Sequence, residues 1–311
     1  MSAEPTGRSQ DGVPRTVVVT GASAGLGYFA AEQLAAAGHR VVLATRNPVK
    51  ARAAETSIRA HVADARVEHL HLDLADLDSV AAAVTALADV GPVDAVVNNA
   101  GVVGSGAFRR TAQGIELQFG TNHIGHFAWT AGVLPLLERT GGRVVHLGSI
   151  SHRWAWLDRD HPDRSRPYVN YLQYARSKLA VMLFGFELAE RLADAGSSVA
   201  SIVAHPGLAL DTLAPARPGV LPTTPTPAWV RAGERFWSQG KDVGAEPLVH
   251  AAVGEGVRSG EYWGPSGWMQ LRGAPAVVPA EPRAHDRTAA AHLWAASERL
   301  SGVALRFDTH A

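Results

Sequence analysis

Two rhythms of apolar positions alternate along most of this chain. Short β-branched runs read as buried strands, and longer stretches with apolar residues every three or four positions read as helices. The runs Thr16–Thr20, Arg40–Ala44, Val67–Leu72, Ala95–Val97, Arg143–Leu147 and Val199–Ala204 are predicted strands. Between them lie helical patterns at Tyr28–Ala35, Pro48–His61, Ser79–Ala88, Ile115–Glu138 and Leu172–Asp194. Strict strand–helix alternation predicts an α/β fold: one doubly wound parallel sheet with helices on both faces. In such sheets ligands bind beyond the C-terminal ends of the strands, where the strand order reverses.

Two segments interrupt the rhythm. Residues Ser151 to Gln173 are charged and aromatic, with Trp154, Trp156, Tyr168 and Tyr171. Residues Leu208 to Lys241 carry Pro215, Pro218, Pro222, Pro225 and Pro227 beside Trp229 and Trp237. Long inserts beside a sheet's ligand end act as lids, and their tryptophans suit a bulky apolar substrate. Ordinary packing of those rings against the core edge is the competing reading.

At 311 residues the chain suits one α/β domain over residues 16–311, with inserts at about 151–173 and 208–241. Residues 1–15 are polar with Gly and Pro and read as a disordered leader; they lack a signal peptide's apolar segment, so the expected compartment is the cytoplasm. Lys and Arg number 29, as do Asp and Glu, which leaves no electrostatic case for nucleic acid or an anionic membrane. Cysteine is absent, so disulfides, thiolate metal sites and cysteine nucleophiles are excluded. His123 and His126 lie three apart without an acid or third ligand, so no metal is expected.

The first predicted strand runs directly into Thr20-Gly21-Ala22-Ser23-Ala24-Gly25-Leu26-Gly27 and then into a helix. Strand, glycine turn and helix together form the context in which glycines bind phosphate. Gly21 permits a tight turn, Gly25 a close backbone approach to a pyrophosphate, and Gly27 close helix–strand packing; the helix N-terminus offers unpaired N–H groups. The spacing is GxxxGxG rather than GxGxxG. The sheet is therefore expected to be of Rossmann type.

Tyr174-Ala175-Arg176-Ser177-Lys178 places a phenol and an ammonium one helical turn apart. A free tyrosine has a pKa of about 10, and bringing it to roughly 7 requires about 4 kcal/mol of differential stabilisation of the phenolate. A lysine charge beneath the hydroxyl, together with a cationic nicotinamide, supplies such stabilisation.

Taken in order, TGxxxGxG, Asn98-Asn99-Ala100-Gly101, an isolated Asn122, Ser149 and YxxxK resemble the short-chain dehydrogenase/reductase family from about Thr16 to Gly207. Thr121-Asn122-His123-Ile124-Gly125-His126-Phe127 and the long Ser149-to-Tyr174 interval are similar to the retinol-dehydrogenase-like branch, which also includes protochlorophyllide-reductase relatives. The tail Glu261-Tyr262-Trp263-Gly264-Pro265 through Leu293-Trp294 looks similar to bacterial members of that branch.

The resemblance implies a catalytic set of Asn122, Ser149, Tyr174 and Lys178. It implies that Tyr174 exchanges a proton with the substrate oxygen, Ser149 orients that oxygen, Lys178 lowers the tyrosine pKa and binds the nicotinamide ribose, and Asn122 kinks its helix and supports a water relay. Gly148 stands where the family shows a first serine, and Ser151 is a candidate substitute for Ser149. Implied cofactor contacts are Gly21, Ser23, Ala24, Gly25, Leu26, Gly27, Arg46, Asp73 with Leu74, Asn98, Ala100, Gly101, Tyr174, Lys178, Pro206 and Gly207. Asp73 is implied to contact adenine, a helix N-cap being the other reading. Thr45 and Arg46, in place of an acid after the second strand, favour a 2′-phosphate and so NADP(H) over NAD. The turn His205-Pro206-Gly207 is implied to cover the nicotinamide. Asp211 stands where the family has Thr or Ser, with Thr212 one later, so either residue is a candidate for the carboxamide contact.

The expected activity interconverts a ketone or aldehyde and an alcohol on a bulky apolar small molecule, polyketide-like or terpenoid. A carbon–carbon double-bond reductase and a non-catalytic dinucleotide sensor are the alternatives. A homodimer through the helices at Thr121–Glu138 and Leu172–Asp194 is a further implication, with Phe184 and Phe186 serving either that interface or the core.

Overall fold

A computed structural model of the chain describes residues 13–104, 106–158, 162–163, 168–220 and 227–307. Most of the expected leader, residues 1–12, and parts of both expected lids (159–161, 164–167 and 221–226) lie outside the described residues.

Six strands, β1 (Thr16–Thr20), β2 (Arg40–Thr45), β3 (Arg66–His71), β4 (Ala95–Asn98), β5 (Arg143–Leu147) and β6 (Ala200–Ala204), pair in parallel in the order 3-2-1-4-5-6. The order reverses between β1 and β4, and the crevice opens beyond their C-terminal ends. This is the expected Rossmann-type doubly wound sheet. A short parallel pair, β7 (Ala209–Leu210) and β8 (Gln239–Gly240), sits within the second insert, with α7 (Ala228–Trp237) between them in the chain. Beyond it, β9 (Tyr262–Pro265) extends the sheet parallel to β6, and β10 (Pro275–Val277) closes that edge antiparallel to β9.

Side-chain alternation along buried strands sends successive residues to opposite faces, each covered by helices. Val17 and Val19 pack with Leu34 of α1 (Gly25–Ala36), Ile58 of α2 (Pro48–His61) and Leu248 of α8 (Lys241–Val253). Val18 faces the other way, into a cluster with Val80 of α3 (Leu77–Ala88), Phe127 of α5 (Gly125–Glu138) and Phe184 of α6 (Asn170–Asp194). The helix α9 (Arg287–Ser301) lies over α5 and α6, with Trp294 5.5 Å from Phe127 and 5.7 Å from Phe184. Phe184 and Phe186 are both buried within the chain's own core, which decides between the two readings of them.

The expected helix over Ile115–Glu138 is interrupted. A short α4 (Leu117–Phe119) passes into a π-helical turn, Gly120–Ile124, before α5 begins. Such a turn re-aims side chains and is frequent at functional sites. Helix α3 starts at Leu77 rather than Ser79 because Asp76 caps it, accepting from the Asp78 N–H at 3.1 Å. No element is predicted from the sequence after Ala204, where Gly244 and Pro247 break the helical pattern of α8. Among the described residues, no helix is long and apolar enough to cross a membrane.

Candidate active site

A cleft of about 660 Å³ runs along the C-terminal ends of β1, β2, β4, β5 and β6. At one end stands the glycine turn. Gly21 and Gly25 have φ of +68° and +59°, a region glycine adopts without Cβ strain. A Cβ at Gly27 would lie 2.3 Å from Asn99 Nδ2 and 2.7 Å from the Gly21 carbonyl, so only glycine lets α1 approach the strand this closely. Ala24 caps α1 without any side-chain hydrogen bond, and the first N–H groups of the helix have no capping acceptor.

Behind the turn a buried network joins three segments. Thr20 Oγ accepts from the Ala100 N–H (2.9 Å), and Asn99 Nδ2 donates to the Thr20 carbonyl (2.7 Å). His126 contacts the Asn122 carbonyl through Nδ1 (3.0 Å) and Thr20 Oγ through Nε2 (2.9 Å). A carbonyl only accepts, so Nδ1 carries the proton; Nε2 of the neutral ring then accepts from the threonine hydroxyl. Burial holds this imidazole neutral, at about 4. His123 is likewise held down to about 3 by burial, and its Nε2 meets Ser297 Oγ at 2.7 Å.

Asn122 lies in the π-helical turn, behind the cleft wall. Its Oδ1 accepts from the Val102 N–H (2.7 Å), and its Nδ2 donates to the Val102 carbonyl (3.1 Å) and to Ser177 Oγ (2.9 Å). Ser177 in turn donates to the Tyr174 carbonyl at 2.7 Å. The asparagine thus holds the loop after β4 against the helix that carries Tyr174. Asn98 is also not brought to the cleft: it is buried, with Nδ2 donating to Thr130 Oγ at 3.0 Å. Its neighbour Asn99 lines the cleft instead.

Ser149, just past β5, and Tyr174 and Lys178 of α6 line the same cleft as the glycine turn. Ser149 Oγ accepts from both the N–H (3.2 Å) and the hydroxyl (3.0 Å) of Ser151. With both lone pairs engaged, the Ser149 hydroxyl is left to donate into the cleft that Tyr174 also lines. Ser151 is buried behind Ser149 and outside the cleft, so it orients the serine rather than replacing it. Gly148 is accounted for by packing: a Cβ there would lie 3.2 Å from Met182 Cγ and Val203 Cγ1.

Lys178 is 3% exposed and donates to the Leu147 carbonyl at 2.8 Å. Desolvation pulls its ammonium down to about 8. Tyr174 shows the opposite of the depression expected from the sequence: burial raises its phenol above the ordinary range, partly offset by Ser149. The lysine sits 5.8 Å from the centre of the tyrosine ring and already gives one N–H to Leu147. In the protein alone, loss of water around the phenol outweighs the lysine charge.

The remaining predicted contacts divide clearly. Ser23, Ala24, Gly25, Leu26, Arg46, Asp73, Leu74, Ala100, Gly101, Pro206 and Gly207 all line the cleft. Asp73 is not the cap of α3; its Oδ1 accepts from the Ala75 N–H at 3.0 Å. Gly207 has φ +65°, and a Cβ there would lie 2.3 Å from the Leu271 carbonyl. Asp211 faces the cleft, whereas Thr212 donates to Glu234 at 2.6 Å and does not line it. Sequence reading missed Thr121, Val102, Leu208 and Lys241, which also line the cleft. Lys241 lies far along the chain from any glycine motif, so its place depends on how α8 packs on α1.

The cleft fits a dinucleotide. It joins an uncapped helix N-terminus to the side chains of Ser149, Tyr174 and Lys178, and two buried hydroxyls on its wall, Thr45 Oγ and Thr121 Oγ, have no hydrogen-bond partner among the described residues.

Comparison with known proteins agrees with this geometry. A profile of the short chain dehydrogenase family matches residues 15–215. Retinol dehydrogenase 13 from Homo sapiens is 36% identical over 296 residues, covering 93% of this chain and 85% of that protein. Polyprenol dehydrogenase from Mus musculus is 36% identical over 304 residues, covering 93% and 84%. The solved structure of an uncharacterized protein from Mycobacterium paratuberculosis superposes with a TM-score of 0.75 at 34% identity, covering 97% of this chain and 100% of that one.

Proposed function

The chain belongs to the short chain dehydrogenase family, in its retinol-dehydrogenase-like branch, and is an oxidoreductase of the carbonyl/alcohol class; on that premise we propose that it uses NADP(H) to interconvert a bulky, mainly apolar ketone or aldehyde with its alcohol. The observation that carries this reading is that Ser149, Tyr174 and Lys178 line the same cleft as the glycine turn and the uncapped helix N-terminus.

A nicotinamide dinucleotide bound there supplies or takes up hydride at the substrate carbon. Tyr174 donates its phenolic proton to the carbonyl oxygen as the C–H bond forms, and the C=O π pair becomes the O–H bond. In oxidation the phenol oxygen takes that proton back. Ser149, with its lone pairs taken by Ser151, is oriented to donate to the same oxygen. Lys178, still charged at neutral pH, stabilises the phenolate after transfer. Asn122 acts as a positioning residue through Val102 and Ser177.

Support for NADP(H) comes from Arg46, exposed at the cleft end of β2, with no acid at that strand end to repel a phosphate. Support for a bulky apolar substrate comes from aromatics beside the cleft. Phe236, Trp237, Trp268 and Met269 are all at least half exposed, and three of these four line an apolar hollow of about 610 Å³ with Leu271. Leu271 accepts a backbone hydrogen bond from Leu208 on the cleft wall at 2.8 Å. The names of two relatives refer to retinol and polyprenol, both extended apolar alcohols.

The test of cofactor choice is a titration of wild type and Arg46→Asp with NADPH and NADH. We expect wild type to prefer NADPH and the variant to lose that preference. Equal affinity of wild type for both would overturn the NADP(H) assignment.

A further inference from the structure

The glycine turn Thr20–Gly27 contains no basic residue, and Ala24 contributes no polar side chain. A pyrophosphate placed there carries two negative charges, against roughly half a positive charge from the helix N-terminus. The structure brings a cation to the spot from a distant part of the chain. Lys241 Nζ lies 3.4 Å from where a Cβ on Gly25 would stand, and Lys241 lines the same cleft.

The backbone of Lys241 is fixed relative to α1. It is the first residue of α8, which packs along α1, and Gln33 Nε2 of α1 donates to the carbonyl of the adjacent Asp242 at 2.7 Å. Its ammonium, in contrast, is held among the described residues by Asp211 alone, at 2.7 Å. Both side chains of that pair are partly exposed, 25% for the lysine and 40% for the aspartate, and a pair so exposed contributes little. Asp211 and Lys241 also bracket the second insert. Arg217 within it grips Glu32 of α1 through two hydrogen bonds of 2.7 Å, so the insert is tied to the helix that follows the glycine turn.

We propose that Lys241 is a pyrophosphate-binding residue, held by Asp211 until a dinucleotide enters and then transferred to the phosphates; this rests on the dinucleotide reading above. Transfer exchanges a partly exposed ion pair with a singly charged carboxylate for contact with a doubly charged group seated at a helix N-terminus. Asp211 serves as the competing anion, which also gives a physical reason for an acid at this cleft position. It couples occupancy of the phosphate site to the insert that runs from Leu208 to Lys241.

The test is equilibrium titration of wild type, Lys241→Ala, Lys241→Gln, Lys241→Arg and Asp211→Asn, with the melting midpoint of each recorded. The probes are NADPH, ADP-ribose and adenosine 2′-monophosphate. ADP-ribose carries the pyrophosphate without the nicotinamide, so a carboxamide contact by Asp211 does not enter. We expect Lys241→Ala to weaken NADPH and ADP-ribose by about tenfold each while leaving adenosine 2′-monophosphate unchanged. Lys241→Arg should retain binding, and Asp211→Asn should tighten ADP-ribose. Lys241→Gln keeps the aliphatic stem and carries the comparison if alanine lowers the melting midpoint. Unchanged ADP-ribose affinity in the alanine and glutamine variants overturns the proposal. So does a loss confined to adenosine 2′-monophosphate, which would assign the lysine to the ribose phosphate. If wild type binds neither NADPH nor NADH, the dinucleotide reading itself fails, and this proposal with it.

Discussion

The two halves of the cleft are built from different materials. On the cofactor side, β1, the glycine turn, the end of β4 and the π-helical turn are locked by buried hydrogen bonds among Thr20, Asn99, Asn122, His126 and Ser177. On the substrate side, the inserts present the exposed aromatics Trp154, Trp156, Phe236 and Trp237, and a tie such as Thr212–Glu234 is only part-buried. Reacting groups must be held to fractions of an ångström, whereas a surface that receives an apolar molecule can adapt. The contrast predicts that substitutions on the first side alter rate or folding, and substitutions on the second alter substrate affinity.

The largest effect should come from Tyr174→Phe. Removing the general acid should lower turnover by about a thousandfold while dinucleotide affinity stays within about twofold. A variant that keeps its rate would break the comparison at its strongest point.

Lys178 should leave a pH signature in stability. Its folded-state value of about 8 lies below the ordinary 10.5, so the unfolded chain binds more protons between those limits. The lysine's contribution is therefore fully favourable only above about 10.5 and is lost as pH falls through 8. Relative to Lys178→Met, wild type should gain roughly 3 kcal/mol between pH 8 and 10.5. Parallel denaturation curves across that range check this, and a constant difference would contradict it.

Gly27→Ala should destabilise by about 1–3 kcal/mol, because the added carbon collides with Asn99 and the Gly21 carbonyl. Trp237→Ala on the other side should change stability by no more than about 0.5 kcal/mol, since the ring is half exposed. Its effect should fall on KM for long apolar substrates, rising severalfold with kcat unchanged. Thermal melts and steady-state kinetics on the two variants would sharpen the contrast, and a stability loss at Trp237 equal to that at Gly27 would erase it.

The same division explains what was legible in the sequence. The strands β1 to β6 are short apolar runs buried on both faces, and such runs can be read without knowing their neighbours. Gly21, Gly27, Tyr174 and Lys178 could be placed because local spacing on a turn or helix fixes them, whereas Ser149 came from the family resemblance. Asn98 and Asn99 are adjacent and chemically identical, and only the pleat of β4 decides which one reaches the cleft. In the protein alone the phenol of Tyr174 is raised by burial, a property of the assembled core that no local spacing shows. Lys241 was invisible to any local pattern, since its partners Gly25 and Asp211 meet it only through the packing of α8 on α1.

Hydride transfer tests the central claim most directly. NADPH deuterated at the 4R or the 4S position should be incubated with the protein and a long isoprenoid aldehyde, with Tyr174→Phe in parallel. The account predicts deuterium from one of the two labelled cofactors on the carbinol carbon of the alcohol product, formed about a thousandfold more slowly by the variant. Deuterium on a former alkene carbon of a saturated aldehyde, or alcohol formed equally by the variant, would contradict it.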